Sequence, residues 1–159
     1  MIIKEAASAI AWIVISFLPG TIGQLFTYPN IATWYAGLNK PFFTPPNWLF
    51  GPAWTTLYVL MGVSAYLVWK KGWQNSEVKV ALSVFIVQLF LNGLWSLIFF
   101  GWHLTLVAFI EILILWGFIL LTIMKFYPLS SAAGLLLVPY LLWVTFASAL
   151  NFGVWWLNR

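Results

Sequence analysis

Cysteine is missing from this 159-residue chain, and so is aspartate. Without Cys there are no disulfides, no thiolate nucleophiles and no zinc–thiolate sites. The acidic residues are three Glu, Glu5, Glu77 and Glu111, well apart in sequence. Such a set offers no paired carboxylates, no Ser/His/acid constellation and no ligand cluster for Mg²⁺ or Zn²⁺. Charge of either sign is scarce. Charged residues make up 6% of the chain, against about 25% in a soluble domain. Seven Lys/Arg give a formal net charge of +4, but they are scattered, whereas a nucleic-acid surface needs them clustered. No nucleic-acid partner is expected. Hydrophobic residues account for 64% and the mean hydropathy is +0.98. So few charges cannot coat a soluble fold of this size, so the solvent for most of the surface is lipid. In a bilayer the backbone must satisfy its own hydrogen bonds, which leaves helices or a closed barrel. The apolar runs are long and lack period-two alternation, so helices are expected.

A membrane helix needs about 20 mostly apolar residues. Five segments qualify, predicting an all-α integral membrane protein: one five-helix bundle spanning 1–159, with helices near 6–26, 47–69, 80–101, 104–126 and 130–156. The N-terminal stretch reads as the first membrane helix, retained in the mature protein. Pro19-Gly20 should kink it, Pro139 should kink the fifth helix, and Pro52 should bend the start of the second. The linkers are unequal. The stretch from Tyr28 to Pro46 is long and rich in Pro and Trp, and a long, partly ordered loop of that kind is usually functional. With five spans, Lys4, Lys70, Lys71, Lys79 and Lys125 share the side of the N-terminus, against Lys40 and Arg159 opposite. The positive-inside bias therefore predicts a cytoplasmic N-terminus.

Tryptophan is unusually frequent, with twelve copies. Those near predicted helix ends, such as Trp48, Trp69, Trp73, Trp102, Trp155 and Trp156, fit an interfacial belt. Trp54, Trp95, Trp116 and Trp143 lie deeper, where a belt does not explain them. Helical spacing groups several with polar residues. Gln88, Asn92, Trp95 and Ser96 share one face of the third helix, and Tyr140, Trp143, Ala147 and Asn151 share one face of the fifth. Trp54, Tyr58 and Met61 form a stripe on the second. Amide and indole donors are costly in hydrocarbon unless partnered, so these stripes should face inward. Ordinary interhelical hydrogen bonding would account for them. So would a flat aromatic cavity with a few polar groups, suited to a planar apolar ligand with polar edges.

Glu111 is the one acidic residue inside a predicted span. It reads either as a proton-coupling group or as a capped structural carboxylate, and the second is favoured because no intramembrane Lys or Arg can pair with it. His103, at a tight turn, reads as an interfacial His rather than an axial haem ligand.

The stretch Trp34-Tyr35-Ala36-Gly37-Leu38-Asn39-Lys40-Pro41-Phe42-Phe43-Thr44-Pro45-Pro46-Asn47-Trp48, continued by Gly51-Pro52-Ala53-Trp54, closely resembles the signature of the TspO/MBR family. Asn92-Gly93-Leu94-Trp95-Ser96, Val138-Pro139-Tyr140 with Trp143, and Ala149-Leu150-Asn151-Phe152 match further on, so the resemblance covers nearly the whole chain. It implies a five-helix bundle, usually a homodimer, with a ligand pocket beneath the first loop. It also implies binding of porphyrins such as protoporphyrin IX, and of synthetic isoquinolines and benzodiazepines, with no cofactor required. By motif position Trp34 and Tyr35 belong to a lid with Lys40, Pro41, Pro45 and Pro46, while Trp54, Asn92, Trp143 and Ala147 line the pocket. The stripes add Tyr58, Gln88, Trp95 and Tyr140 as candidate ligand contacts. Some bacterial relatives degrade protoporphyrin in light, and Trp34 and Trp143 match the tryptophans implicated.

There are departures. Phe43 stands where the family usually has Trp. The cholesterol motif of animal members needs a Tyr and a basic residue where this chain has Phe152 and Trp156. That argues against cholesterol recognition and for a bacterial cell-membrane protein. The expected function is a tetrapyrrole-binding membrane protein acting in sensing, transport or regulation. The alternatives are a light- and oxygen-dependent porphyrin degrader, which is no conventional enzyme, a proton-coupled transporter using Glu111, or a structural partner without a ligand. Small residues on one helical face, Ala149 with Gly153 four apart and Gly93 with Gly101 one further turn beyond Leu97, suggest a face for a second copy.

Overall fold

The computed structural model describes residues 2–159. They form helices and connecting turns, with no strand among the described residues. Helix α1 spans Ile2–Ile31, α2 Phe50–Trp69, α3 Ser76–Ser96 with a wide π turn at Leu97–Gly101, and α4 Thr105–Phe126. The last rod is split into α5, Ser131–Leu136, and α6, Val138–Leu157. Four rods, α1, α3, α4 and α5–α6, are long and apolar enough to cross a membrane.

The expected boundaries need correction. α1 runs longer at both ends than 6–26 and continues through Pro19 and Pro29. The loop therefore starts after Ile31. α2 begins at Phe50, because Asn47–Leu49 is a separate 3-10 turn, and Pro52 falls within its first turn, where a missing N–H costs nothing. α3 begins four residues earlier than expected. Asn75, extended and just outside the helix, accepts the Glu77 N–H on its side chain at 2.9 Å. That cap recruits a polar first turn that hydropathy alone assigns to the linker. The break in the last rod falls at Leu137, where Pro139 has no N–H to give back. Ser130 restarts the chain by capping α5 through Ala133 N.

Around the bundle α1 contacts α2 and α3, α3 contacts α4, α4 contacts α5 and α6, and α5 returns to α2. Small residues set the close approaches. A Cβ on Gly62 would collide with the backbone of Ile13, and one on Gly20 with the ring of Tyr58, so α1 and α2 meet tightly at these levels. Gly93 packs on Pro19. The Ser64 hydroxyl donates to Ala133 O at 2.7 Å, fastening α2 to α5. Most of the core, from Met61 and Phe85 to Phe126 and Leu137, fills the end of the bundle away from the first loop. The loop end is packed more loosely, around rings.

Residues 32–49 fold over the loop end. Trp34 stacks on the His103 ring (4.1 Å between centroids, 13° between planes), and His103 Nε2 lies 3.0 Å from Asn30 Oδ1. Asn39 N donates to Asn158 Oδ1 at 2.9 Å, and Asn158 Nδ2 donates to Asn39 O at 2.8 Å. Pro41 lies on Gly153, where any side chain would collide with it. Lys40 donates to Leu38 O at 3.1 Å and sits 4.7 Å over the Tyr35 ring.

The small residues expected to seat a second copy have work within the chain. Gly153 carries Pro41, Gly93 carries Pro19, and Gly101 lies against Phe26 and Leu97.

Candidate functional site

A cavity of about 430 Å³ lies in the loop half of the bundle, between α1, α2, α3 and α6, with Ile112 and Leu115 of α4 behind it. That volume is within the range of small-molecule sites, roughly 300–1,000 Å³. Among the described residues, none of those lining it is charged. Its walls are rings. Trp54 stacks on Tyr58 (5.4 Å, 26°) and meets Trp143 edge-on (6.4 Å, 85°). Trp95 stacks on Phe99 (4.9 Å, 21°).

The polar groups at the floor are held by one another. Tyr58 OH donates to Asn92 Oδ1 at 2.8 Å, Asn92 Nδ2 donates to Tyr140 OH at 3.0 Å, and Tyr140 OH donates to Gln88 Oε1 at 3.0 Å. This relay joins α2, α3 and α6, and three of its four residues come from the stripes on α3 and α6. A second tie stands beside it: Trp95 Nε1 donates to Asn151 Oδ1 at 2.9 Å, and Asn151 Nδ2 donates to Thr105 O at 2.8 Å. Buried polar groups that satisfy one another fix side-chain positions. The floor is thus rigid, and the walls above it are aromatic.

Of the expected ligand contacts, Tyr35, Trp54, Tyr58, Asn92, Trp95, Trp143 and Ala147 all line the cavity. Gln88 and Tyr140 do not. They are 1% and 0% exposed and act beneath the floor as relay members. Trp34 also lies off the lining, held by His103 and by Phe99 and Phe100 edges. From residues 32–49, Tyr35 and Asn47 reach the cavity; burial raises the Tyr35 phenol above its ordinary value. Lys40, Pro41, Pro45 and Pro46 are outside the lining. Glu111 faces the bundle interior with Ile112 and Leu115, yet neither carboxyl oxygen has a hydrogen-bond partner and the side chain is outside the lining. The Trp143 indole N–H is likewise buried without a partner.

The contribution of α1 is what sequence reasoning missed. Phe17, Gly20, Thr21 and Gln24 line the cavity, and the signal for them was Thr21 and Gln24, the two polar residues, three apart, in the apolar stretch from Phe17 to Phe26. Phe99 and Phe100 line the cavity as well; they stand four residues after Trp95 and Ser96, so the α3 stripe carried one turn further would have reached them.

Residues 11–157 match the family model described as TspO/MBR family. The chain belongs to the TspO/MBR family. Its relatives include the tryptophan-rich protein TspO of Archaeoglobus fulgidus, 49% identical over 99% of this chain and 98% of that protein. The human translocator protein is 41% identical over 84% and 80%. The tryptophan-rich sensory protein of Cereibacter sphaeroides is 39% identical over 88% and 84%. Family membership and the four apolar rods make this TspO/MBR chain a multi-pass membrane protein.

Proposed function

We propose that this chain is a membrane binding protein for tetrapyrroles and similar planar apolar molecules, acting in their sensing, transport or regulation. The observation that carries the reading is the uncharged cavity walled by Trp54, Trp95, Trp143 and Tyr58. Ring faces offer stacking to a flat ligand, and a floor already satisfied makes little demand for a polar one. In this reading α2 also spans, since its 20 residues reach about 30 Å, the thickness of a hydrocarbon core. The protein then sits in the cell membrane with its N-terminus cytoplasmic. A second copy belongs to the reading too, on a face other than the glycines already covered.

The test is a dark titration with protoporphyrin IX, followed by quenching of Trp fluorescence. Saturable quenching at micromolar ligand is the expected result, and non-saturable quenching would reduce the aromatic walls to packing. A second reading is light-dependent degradation, in which excited porphyrin exchanges electrons with a tryptophan and dioxygen is the oxidant. Trp143 in the cavity wall favours it; Trp34, away from the lining, does not share that position. Illuminating wild type and Trp143→Phe, with and without oxygen, separates degrader from binder. Glu111, outside the lining, makes proton-coupled transport the least supported alternative.

A further inference from the structure

The cavity has six lining residues that are also exposed: Thr21, Gln24 and Tyr28 on α1, Asn47 in the 3-10 turn before α2, and Gly51 and Thr55 in the first turns of α2. The other lining residues are buried or half-buried. The opening is therefore between α1 and α2, on the flank of the bundle. Glycine contacts show how it forms. Gly62 and Gly20 pin the two helices together, whereas a Cβ on Gly51, further toward the loop end, would meet nothing within 4 Å. The helices touch below and part above.

The rims are polar where the surrounding surface is not. Thr21, Gln24 and Tyr28 follow helical spacing on α1, and Asn47, Gly51 and Thr55 follow it facing them. The rest of the outer face of α1 shows Ile10, Val14, Leu18, Ile22 and Leu25. Uncommitted amides on a lipid-facing helix are costly unless they meet water or a polar solute. The roof offers no comparable opening, being fastened by the Asn39–Asn158 pair, the Trp34–His103 stack and the seat of Pro41.

We propose that ligands pass into the cavity sideways, through this mouth between α1 and α2, and not by lifting the first loop. The solute it suits is a flat amphiphile that reaches the bundle within the outer part of the bilayer. Its apolar body slides in and its polar edge rests on the amides and hydroxyls of the rim. The proposal rests on the cavity being a ligand site, but its first test is independent of which ligand that is.

The chain has no cysteine, so a single Ala147→Cys places one thiol on the inner wall. Its modification by N-ethylmaleimide is expected to slow about tenfold when Gly51→Trp fills the mouth, a typical span for a steric change in association rate. Thr55→Trp serves as a second plug should Gly51→Trp fold poorly. Unchanged modification in folded plugged protein overturns the mouth. Protoporphyrin IX kinetics give the companion test. Linking Gln24→Cys to Gly51→Cys with a short bifunctional thiol reagent should slow association and dissociation together relative to the same double variant left unlinked, because closing a passage lowers the rates in both directions. Linking Asn39→Cys to Asn158→Cys should leave both rates as in wild type. Slowing by the loop link alone overturns the proposal. Failure of the unlinked protein to bind protoporphyrin IX sinks the tetrapyrrole reading and leaves the thiol experiment to judge the mouth.

Discussion

At the scale of single residues, the relay under the cavity and the unpartnered Glu111 carboxyl make opposite predictions. Tyr140→Phe removes one hydroxyl that both accepts from Asn92 and donates to Gln88, leaving two buried amide atoms without it. It is expected to lower stability by about 1–2 kcal/mol, toward the upper end for polar pairs within membranes, read as a lower melting temperature in detergent. Glu111→Leu should do the reverse. Both carboxyl oxygens are buried and unbonded, so an apolar side chain of similar size relieves an unsatisfied group. A drop in melting temperature instead would mean that the carboxyl has a partner in the working protein. Trp143→Phe keeps a ring in the cavity wall but reduces stacking area. Protoporphyrin affinity should weaken by about 0.5–1.5 kcal/mol, or a few-fold in Kd; unaltered affinity would take the ligand away from this wall.

At the scale of elements, the contact of α1 with α2 depends on Gly62. Gly62→Ala drives a methyl into the Ile13 backbone and should destabilise by about 1–3 kcal/mol, as overpacking does; a melting temperature equal to wild type would show that the helices can part freely there. These elements were unequally legible in the sequence. Hydropathy marked the rods, because lipid demands long apolar runs. It failed at their ends, where Asn75 and Ser130 act through single caps and where α1 runs on through Tyr28 and Pro29 into polar sequence. Period 3.6 found the stripes on α2, α3 and α6, because these helices follow that period across the cavity. It could not tell which stripe members meet the cavity and which lie one layer below, so Gln88 and Tyr140 were placed a layer too high. Phe99 and Phe100 continue the α3 stripe four residues past Trp95 and Ser96, but as plain apolar rings near the end of the span they carried no polar signal to extend it. Trp34 was placed by motif, and motif carries no information about the His103 ring that holds it.

At the scale of the whole molecule, the loop end is a roofed chamber whose fastenings come from three distant parts of the chain. Asn158→Ala removes both hydrogen bonds to Asn39 and should leave the 38–46 segment cut faster by protease, while the helical rods resist as before. Equal cutting rates would show that Trp34 and Pro41 suffice. The spacing of that tether also bears on synthesis. Asn39 and Asn158 are 119 residues apart, so the ribosome has made the loop long before it makes its anchor. Until α6 is made, Asn39 has no Asn158 to hold it, so this tether closes only once the last helix is in place.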